Sequence, residues 1–162
     1  MNAKLDSNEA LKIAQEYINL KFIPLTIENH TKLVDKFLDI KGQVWVIEGK
    51  SGCRGNDTFF IISDESSEIE LLLHGNDILT KLKNIKPNLT IKTVLAKALV
   101  YKNENKIFGK ILKPIAFYES VLDIKNYTWV VNIEFPPSPF EQTGIAVFIN
   151  DNDISNVFTI HF

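Results

Sequence analysis

The hydrophobic pattern near the start of the chain predicts an amphipathic helix from Asp6 to Lys21. Apolar residues recur there at intervals of three and four, which places them on one helical face. The residues of this face are Ala10, Leu11, Ala14, Tyr17 and Ile18. Asp6 and Glu9 have the spacing of a capping box, in which each side chain accepts a hydrogen bond from the other's backbone N–H. Pro24 follows shortly afterwards, and a proline stops a helix from continuing.

The pattern then changes to short runs of β-branched and aromatic residues separated by turns, which is typical of strands. These runs are residues 32–40, 44–47, 58–62 and 69–73. A polar turn at residues 64–67 separates the last two runs. Because short turns join antiparallel neighbours, the pattern predicts an antiparallel meander.

The second half of the chain shows the same order of elements. A short helix is predicted at residues 76–83, at the end of the first half, and Pro87 and Asn88 interrupt the pattern near the midpoint. Helical periodicity returns from Thr90 to Tyr101. The strands predicted after this helix are residues 107–112, 117–124, 127–135, 145–149 and 154–162.

Matching positions in the two halves indicate an internal repeat. Trp45 matches Trp129 at an offset of 84 residues, and residues 60–64 match residues 147–151 at an offset of 87. The three additional residues fall in the loop at residues 136–140.

The repeat predicts two similar units, residues 1–86 and residues 87–162. Each is expected to be an N-terminal helix packed on an antiparallel β-meander of three to four strands, with the helices matching near an offset of 82 (Ala14 opposite Ala96). A unit of this size has only a marginal core of its own. We therefore expect an α+β protein in which the two units are fused into one compact body.

Composition narrows the functional classes. Hydrophobic residues make up 45% of the chain and charged residues 23%, which is typical of a globular domain and unlike a disordered one. The formal net charge of −2 argues against a dedicated nucleic-acid binder, which needs a basic face. No run approaches the ~20 apolar residues of a membrane-spanning helix. We expect a cytoplasmic protein, or a periplasmic one if a leader has been removed.

The residues with catalytic potential are few. Cys53 beside Arg54 is the one candidate nucleophile, with a histidine as its base, and this remains the residual enzyme hypothesis. The glycines at 49, 52 and 55 lead into a strand, so turn geometry explains them better than a phosphate-binding loop. The three histidines lack the spacing of a metal site. We expect no catalytic residues, no metal and no cofactor.

The aromatic residues have two interpretations. Trp45 and Trp129 occupy matching strands, which favours core positions in which each indole N–H finds a partner. The loop at residues 135–140 contains three prolines and two phenylalanines. It is either a stiff binding surface or a rigid connection whose aromatic residues pack into the core.

Short motifs resemble a known group of small domains. Residues 9–14 (EALKIA), the Trp-Val strand and residues 59–64 (FFIISD) resemble PepSY-like domains and small immunity proteins of bacterial toxin systems. The resemblance covers residues 9–74 and, more faintly, 90–162. It implies a helix followed by a meander, and binding or inhibition of a protein partner. A glycine usually follows the acidic turn in those domains, and Ser66-Ser67 and Asn152-Asp153 stand there in this chain.

We therefore expect a non-catalytic protein-binding protein, most concretely a bacterial immunity or inhibitor protein that occludes a toxin or hydrolase. The mechanism would be surface occlusion by an acidic rim and the stiff loop. The expected contact residues are Asp64, Glu65, Glu68, Glu70, Pro137, Pro139, Phe140, Asp151 and Asp153. The alternative is a small-ligand-binding module with a pocket between the helices and the sheet.

Overall fold

The computed structural model describes residues 2–51, 57–84, 86–121, 126–139 and 142–162, and within them it is an α+β protein. The helices are α1 (Ser7–Leu20), α2 (Ile78–Asn84) and α3 (Ile91–Glu104). The first five strands are β1 (Thr26–Val34), β2 (Val44–Lys50), β3 (Asp57–Ser63), β4 (Ile69–His74) and β5 (Lys110–Ile111). The remaining strands are β6 (Ile115–Tyr118), β7 (Thr128–Glu134), β8 (Gly144–Asn150) and β9 (Asp153–His161).

The first helix begins with the predicted capping box. The Asp6 carboxylate accepts a hydrogen bond from the Glu9 N–H, and the Glu9 carboxylate accepts one from the Asp6 N–H, both at 2.8 Å. These bonds satisfy backbone donors that have no partner inside the helix. The face that packs on the sheet is led by Ala10, Ala14 and Ile18, which are all buried.

The third helix is capped by Thr90, the residue at which the helical pattern is predicted to begin, and it continues beyond Tyr101 to Glu104. It has 14 residues, as α1 has, and it starts 84 residues after α1. The offset of 82 expected for the helices is therefore wrong. At an offset of 84, Ala14 corresponds to Ala98, and both are fully buried, whereas Ala96 is exposed.

The strands form one continuous sheet in the order β1-β2-β3-β4-β6-β7-β8-β9, and β5 pairs with β7 beside β6. Strands β1 to β4 form one antiparallel meander, and strands β6 to β9 form a second. The two meanders meet at β4 and β6, which pair in parallel. Both meanders thus belong to a single nine-stranded sheet.

Each face of the sheet carries a hydrophobic core. Because successive side chains of a strand point to opposite faces, Trp45 and Ile47 join the core under α1, while Val44 and Val46 join the core under α2 and α3. Trp129 lies in the core that contains α3. Each tryptophan is therefore on the face covered by the 14-residue helix of its own half.

No helix in the described ranges is long and apolar enough to cross a membrane.

Candidate functional site

Asp64, one of the expected contact residues, is buried and holds three N–H groups. It receives the Trp45 indole N–H at 3.1 Å, the Leu5 N–H at 2.9 Å and the Lys4 N–H at 2.7 Å. Its residue surface is 7% exposed. The aspartate therefore fastens the segment before α1 to the sheet.

Asp151 has the same arrangement in the second half. It receives the Trp129 indole N–H at 2.9 Å, the Leu89 N–H at 3.0 Å and the Asn88 N–H at 2.8 Å. It is 2% exposed. Here the carboxylate fastens the segment before α3.

The expectation for the tryptophans is confirmed, since both are buried and both indole N–H groups have an acceptor. The expectation that Asp64 and Asp151 contact a partner is wrong. A carboxylate that is buried and already accepts three hydrogen bonds offers no charge to a docking surface.

The electrostatics of Asp64 follow from these contacts. Burial on its own raises the pKa of a carboxyl group, because it disfavours the charged form. The hydrogen bonds from the Lys4 and Leu5 amides and from the Trp45 indole outweigh this effect and lower the pKa of Asp64 below its ordinary value. Asp64 is thus ionised in the folded protein at neutral pH.

The acidic turns lie at opposite ends of the sheet. Because β4 and β6 are parallel and their neighbours are antiparallel, β3 and β8 run in opposite directions. The turn after β3 carries Glu65, whereas Asp153 begins β9 directly after the turn that follows β8. A single acidic rim formed by both turns is therefore impossible, and this part of the expectation is wrong.

Three glutamates remain at the end of the sheet where β3 finishes. Glu65 and Glu68 are exposed, and the Glu65 carboxylate lies 3.3 Å from the Lys41 ammonium. Glu70 is less accessible, and it accepts hydrogen bonds from Lys113 at 3.0 Å and from Ser66 at 3.2 Å. The acidic surface at this end therefore consists chiefly of Glu65 and Glu68.

The proline loop projects from the same end of the sheet, since β7 ends and β8 begins there. Its base is closed by the Phe135 N–H, which donates to the Thr143 carbonyl at 2.9 Å. Phe135 is partly buried and packs on the core, while residues 136–139 are all exposed. Pro137 and Pro139 therefore face solvent, as a binding surface requires. Phe140 lies outside the described residues.

A surface cavity of about 640 Å³ lies beside this loop and is lined by Phe108, Gly109, Lys110, Glu134 and residues of the loop. Phe108 is 82% exposed, which is unusual for a large aromatic side chain. Gly109 explains how the segment approaches so closely, because a Cβ there would lie 2.5 Å from the Glu134 carbonyl oxygen. Residues 136–139 and Phe108 together form one exposed, largely apolar surface, which we call the proline-loop surface.

Sequence reasoning missed Phe108. The sequence pattern predicts a strand at residues 107–112, in which a phenylalanine is ordinarily buried. The signal available in the sequence was Gly109, since a glycine inside a strand pattern marks a close backbone approach.

The histidines are strand residues. His74 ends β4, where its Nδ1 lies 3.0 Å from the Thr58 hydroxyl and its ring stacks on Tyr118 at 4.3 Å. Burial lowers the pKa of His74 to about 4, so the ring is neutral at physiological pH. Burial also raises the pKa of Tyr118. His161 is exposed at the end of β9.

Within the described ranges, no group of three or more His, Cys, Asp or Glu residues is arranged to hold a metal ion. Cys53 and the glycines at 52 and 55 lie outside those ranges, so the residual enzyme hypothesis stays a hypothesis.

No protein-family model, no curated protein and no solved structure matches this chain. The class that the fold defines is an α+β protein with one mixed sheet.

Proposed function

We propose that this chain is a non-catalytic protein-binding protein of the immunity or inhibitor type, which occludes a bacterial toxin or hydrolase through the proline-loop surface. The observation that carries the proposal is the exposure of Pro137, Pro139 and Phe108 together at one end of the sheet. Contiguous exposed apolar surface on a folded protein marks an interaction site more often than chance.

The chemistry of this surface suits a protein partner. Prolines restrict the loop before binding, which reduces the conformational entropy lost when a complex forms. An exposed phenylalanine beside a groove is an anchor of the kind found at the centre of interfaces. Glu65 and Glu68 at the same end of the sheet supply negative charge that would steer a basic partner.

We also infer that the two halves are copies of one helix-and-meander unit, residues 1–86 and 87–162. The arrangement of a buried aspartate that receives an indole N–H and two successive backbone N–H groups occurs in both halves. The ends of the helices support the same inference.

The residue after the C-cap of α1, Phe22, has a φ of 53°, and the residue after the C-cap of α3, Lys106, has a φ of 51°. The next residue then donates back into each helix, from Ile23 to Ile18 and from Ile107 to Lys102, both at 2.9 Å. Both helices therefore end in the same Schellman-like turn. The proline loop falls where the second half is three residues longer.

The proposal is tested by affinity capture from a lysate of the source organism, followed by direct binding and activity measurements on the captured protein. The Phe108→Asn variant should weaken binding at least about tenfold, as expected for an interface anchor. Phe22→Asn is the matched control, because Phe22 is 92% exposed and also lies shortly after a 14-residue helix.

The proposal would be supported by a captured protein whose activity is inhibited by the wild-type chain and by the Phe22→Asn variant. The Phe108→Asn variant should leave the activity of that protein uninhibited. Equal binding by both variants, or a bound protein whose activity the chain does not change, would refute it.

A further inference from the structure

A second cavity, of about 520 Å³, opens between helix α2, strands β1 and β2 and the loop at residues 35–40. Its volume lies in the range of small-molecule sites. The side chains along it are mostly apolar. Six of them are Val34, Phe37, Leu38, Val46, Leu79 and Leu82.

The mouth of this cavity is basic. Lys32, Lys36, Lys83 and Lys86 line it, all four are exposed, and the described lining contains no aspartate or glutamate. None of the four lysines forms a salt bridge within the described ranges. The carboxylate nearest in sequence, Asp35, accepts a hydrogen bond from the Gln43 amide at 2.9 Å. Four ammonium groups around an apolar cavity favour an anion at the mouth.

The wall formed by the loop at residues 35–40 is held in place by the rest of the fold. The Asp39 carboxylate accepts hydrogen bonds from the Ile91 N–H at 2.9 Å and the Lys92 N–H at 3.1 Å, at the start of α3. Leu38 has a φ of 48°, a conformation that a leucine keeps only where its surroundings enforce it. The cavity is thus shaped before any ligand enters, which favours binding.

We propose that this cavity binds a single-chain anionic amphiphile, with the carboxylate among the four lysines and the hydrocarbon chain between α2 and the sheet. An apolar interior with charge of one sign at its entrance matches a ligand that has an apolar body and one charged end. The site shares no residue with the proline-loop surface, so it constitutes a separate binding function.

Calorimetric titration of the full chain with decanoate tests the proposal. Decanoate should bind saturably with a stoichiometry of one. Decanol, which has the same chain length and no charge, should bind at least about tenfold more weakly, since it lacks the ion pairs with the lysines. Decylammonium should not bind, because its charge has the same sign as the cavity mouth.

Variants separate the cavity from general electrostatics. Lys36→Glu combined with Lys83→Glu should weaken decanoate binding at least about tenfold. Lys21→Glu combined with Lys106→Glu is the control, because it changes the net charge equally at two exposed lysines that do not line the cavity. Leu79→Trp should fill the cavity and abolish binding, with circular dichroism used to establish that this variant is folded.

Three results would overturn the proposal. The first is no saturable binding of decanoate, including the case in which the chain binds only vesicles of anionic lipid. The second is equal affinity for decanoate and decanol. The third is equal weakening by the cavity pair and the control pair of lysine substitutions.

Discussion

Each buried aspartate accepts N–H groups from two distant parts of the chain, the strand that bears a tryptophan and the segment before a helix. The bond lengths of 2.7–3.1 Å are those of well-formed hydrogen bonds. A carboxylate suits this role because it is an acceptor at every lone pair, whereas an amide presents one oxygen and an NH₂ group that would face other donors. Each buried carboxylate thus links the segment before a helix to the strand that bears the tryptophan.

The Asp151→Asn variant should therefore lower the free energy of unfolding by about 2 kcal/mol, since at least one buried N–H loses its acceptor. Urea denaturation followed by far-UV circular dichroism measures this change. The control is Glu68→Gln, which changes an exposed carboxylate in the same way and should stay within about 0.5 kcal/mol of the wild type. Equal effects of the two substitutions would contradict the role assigned to Asp151.

Ser67 carries backbone strain in the turn between β3 and β4. Its φ of 60° is in the left-handed region, where a Cβ costs about 1 kcal/mol and glycine is at ease. Ser67→Gly should raise the free energy of unfolding by about 0.5–1 kcal/mol. Ser66→Gly should lower it, because the Ser66 hydroxyl donates to Glu70 and accepts from the Glu68 N–H. A loss of stability in Ser67→Gly would show that the strain assignment is wrong.

His74 makes stability depend on pH. Its pKa is about 4 in the folded chain, below the ordinary 6.5, because burial disfavours the imidazolium. The unfolded chain therefore binds a proton below about pH 6.5 that the folded chain does not, and stability falls as the pH decreases from about 6.5 to about 4. The fall attributable to His74 is at most about 3.5 kcal/mol, at ~1.4 kcal/mol for each pKa unit between 6.5 and about 4.

His74→Gln should flatten the unfolding free energy between about pH 6.5 and pH 5, a range above the titration of ordinary carboxylates. His161→Gln is the control, because His161 is exposed. Urea midpoints at several pH values measure both variants. A His74→Gln profile as steep as that of the wild type would refute this account.

At the scale of elements, the loop at residues 35–40 and helix α3 are coupled through Asp39. Asp39→Ala removes the acceptor for the first two N–H groups of α3, a loss comparable to that of a helix cap, and should cost about 1 kcal/mol. The same substitution frees the loop that carries Phe37 and Leu38, so the affinity for decanoate should also fall. Asp35→Ala, which loses only the bond from Gln43, is the control. If Asp39→Ala lowered the stability but left the affinity for decanoate unchanged, Asp39 would cap α3 without holding the cavity wall in place.

The helices could be predicted from sequence because their apolar residues recur at intervals of three and four. The central strands could be predicted because they are short runs of β-branched and aromatic residues, buried on both faces of the sheet. The sequence pattern places the first strand too late, at residues 32–40, because β1 is an outer strand in which every residue of Thr26–Val34 is exposed or half-buried. A strand without a buried face has no alternation of apolar and polar residues from which it could be predicted. The predicted strands at 107–112 and 117–124 are in fact two short strands, β5 and β6, that both pair with β7.

The candidate site was less predictable than the fold. The partners of the indole N–H groups lie 19 and 22 residues away in sequence, so local patterns identify that a partner is needed without naming Asp64 or Asp151. Acidic residues in turns are ordinarily exposed, but Asp64 and Asp151 are buried. Whether two turns share an end of the sheet depends on the pairing of β4 with β6, a long-range contact that no sequence period encodes.

At the scale of the whole molecule, the sheet and its cores join the two halves. The core under α2 and α3 combines Val46 and Leu73 from the first half with Val94, Phe117 and Trp129 from the second. Neither half buries its apolar surface without the other. Unfolding should therefore be a single cooperative transition across both halves.

The variants Trp45→Phe and Trp129→Phe each leave one tryptophan, which reports on one half. In each variant, the urea transition followed by tryptophan fluorescence should coincide with that followed by far-UV circular dichroism. Because the fluorescence and circular dichroism transitions are compared within the same variant, a difference in stability between the two variants does not affect the result. Separate transitions would mean that the two halves unfold as independent domains.

The parallel pairing of β4 with β6 also bears on how such a chain grows. Under the proposed repeat, β9 would correspond to β4, and β1 would correspond to the β5–β6 pair. Strands β1 and β9 are the outer edges of the sheet. The edge exposed by the last strand of one copy is thus the kind of edge that the first strand of the next copy can join. Duplication of the gene segment would lengthen the sheet by whole units without redesign of any strand. The same complementarity of the two edges would allow molecules to associate end to end. The irregular pairing of β1 between Ile27 and Thr31 opposes this, because a bulge makes an edge strand a poorer template for pairing.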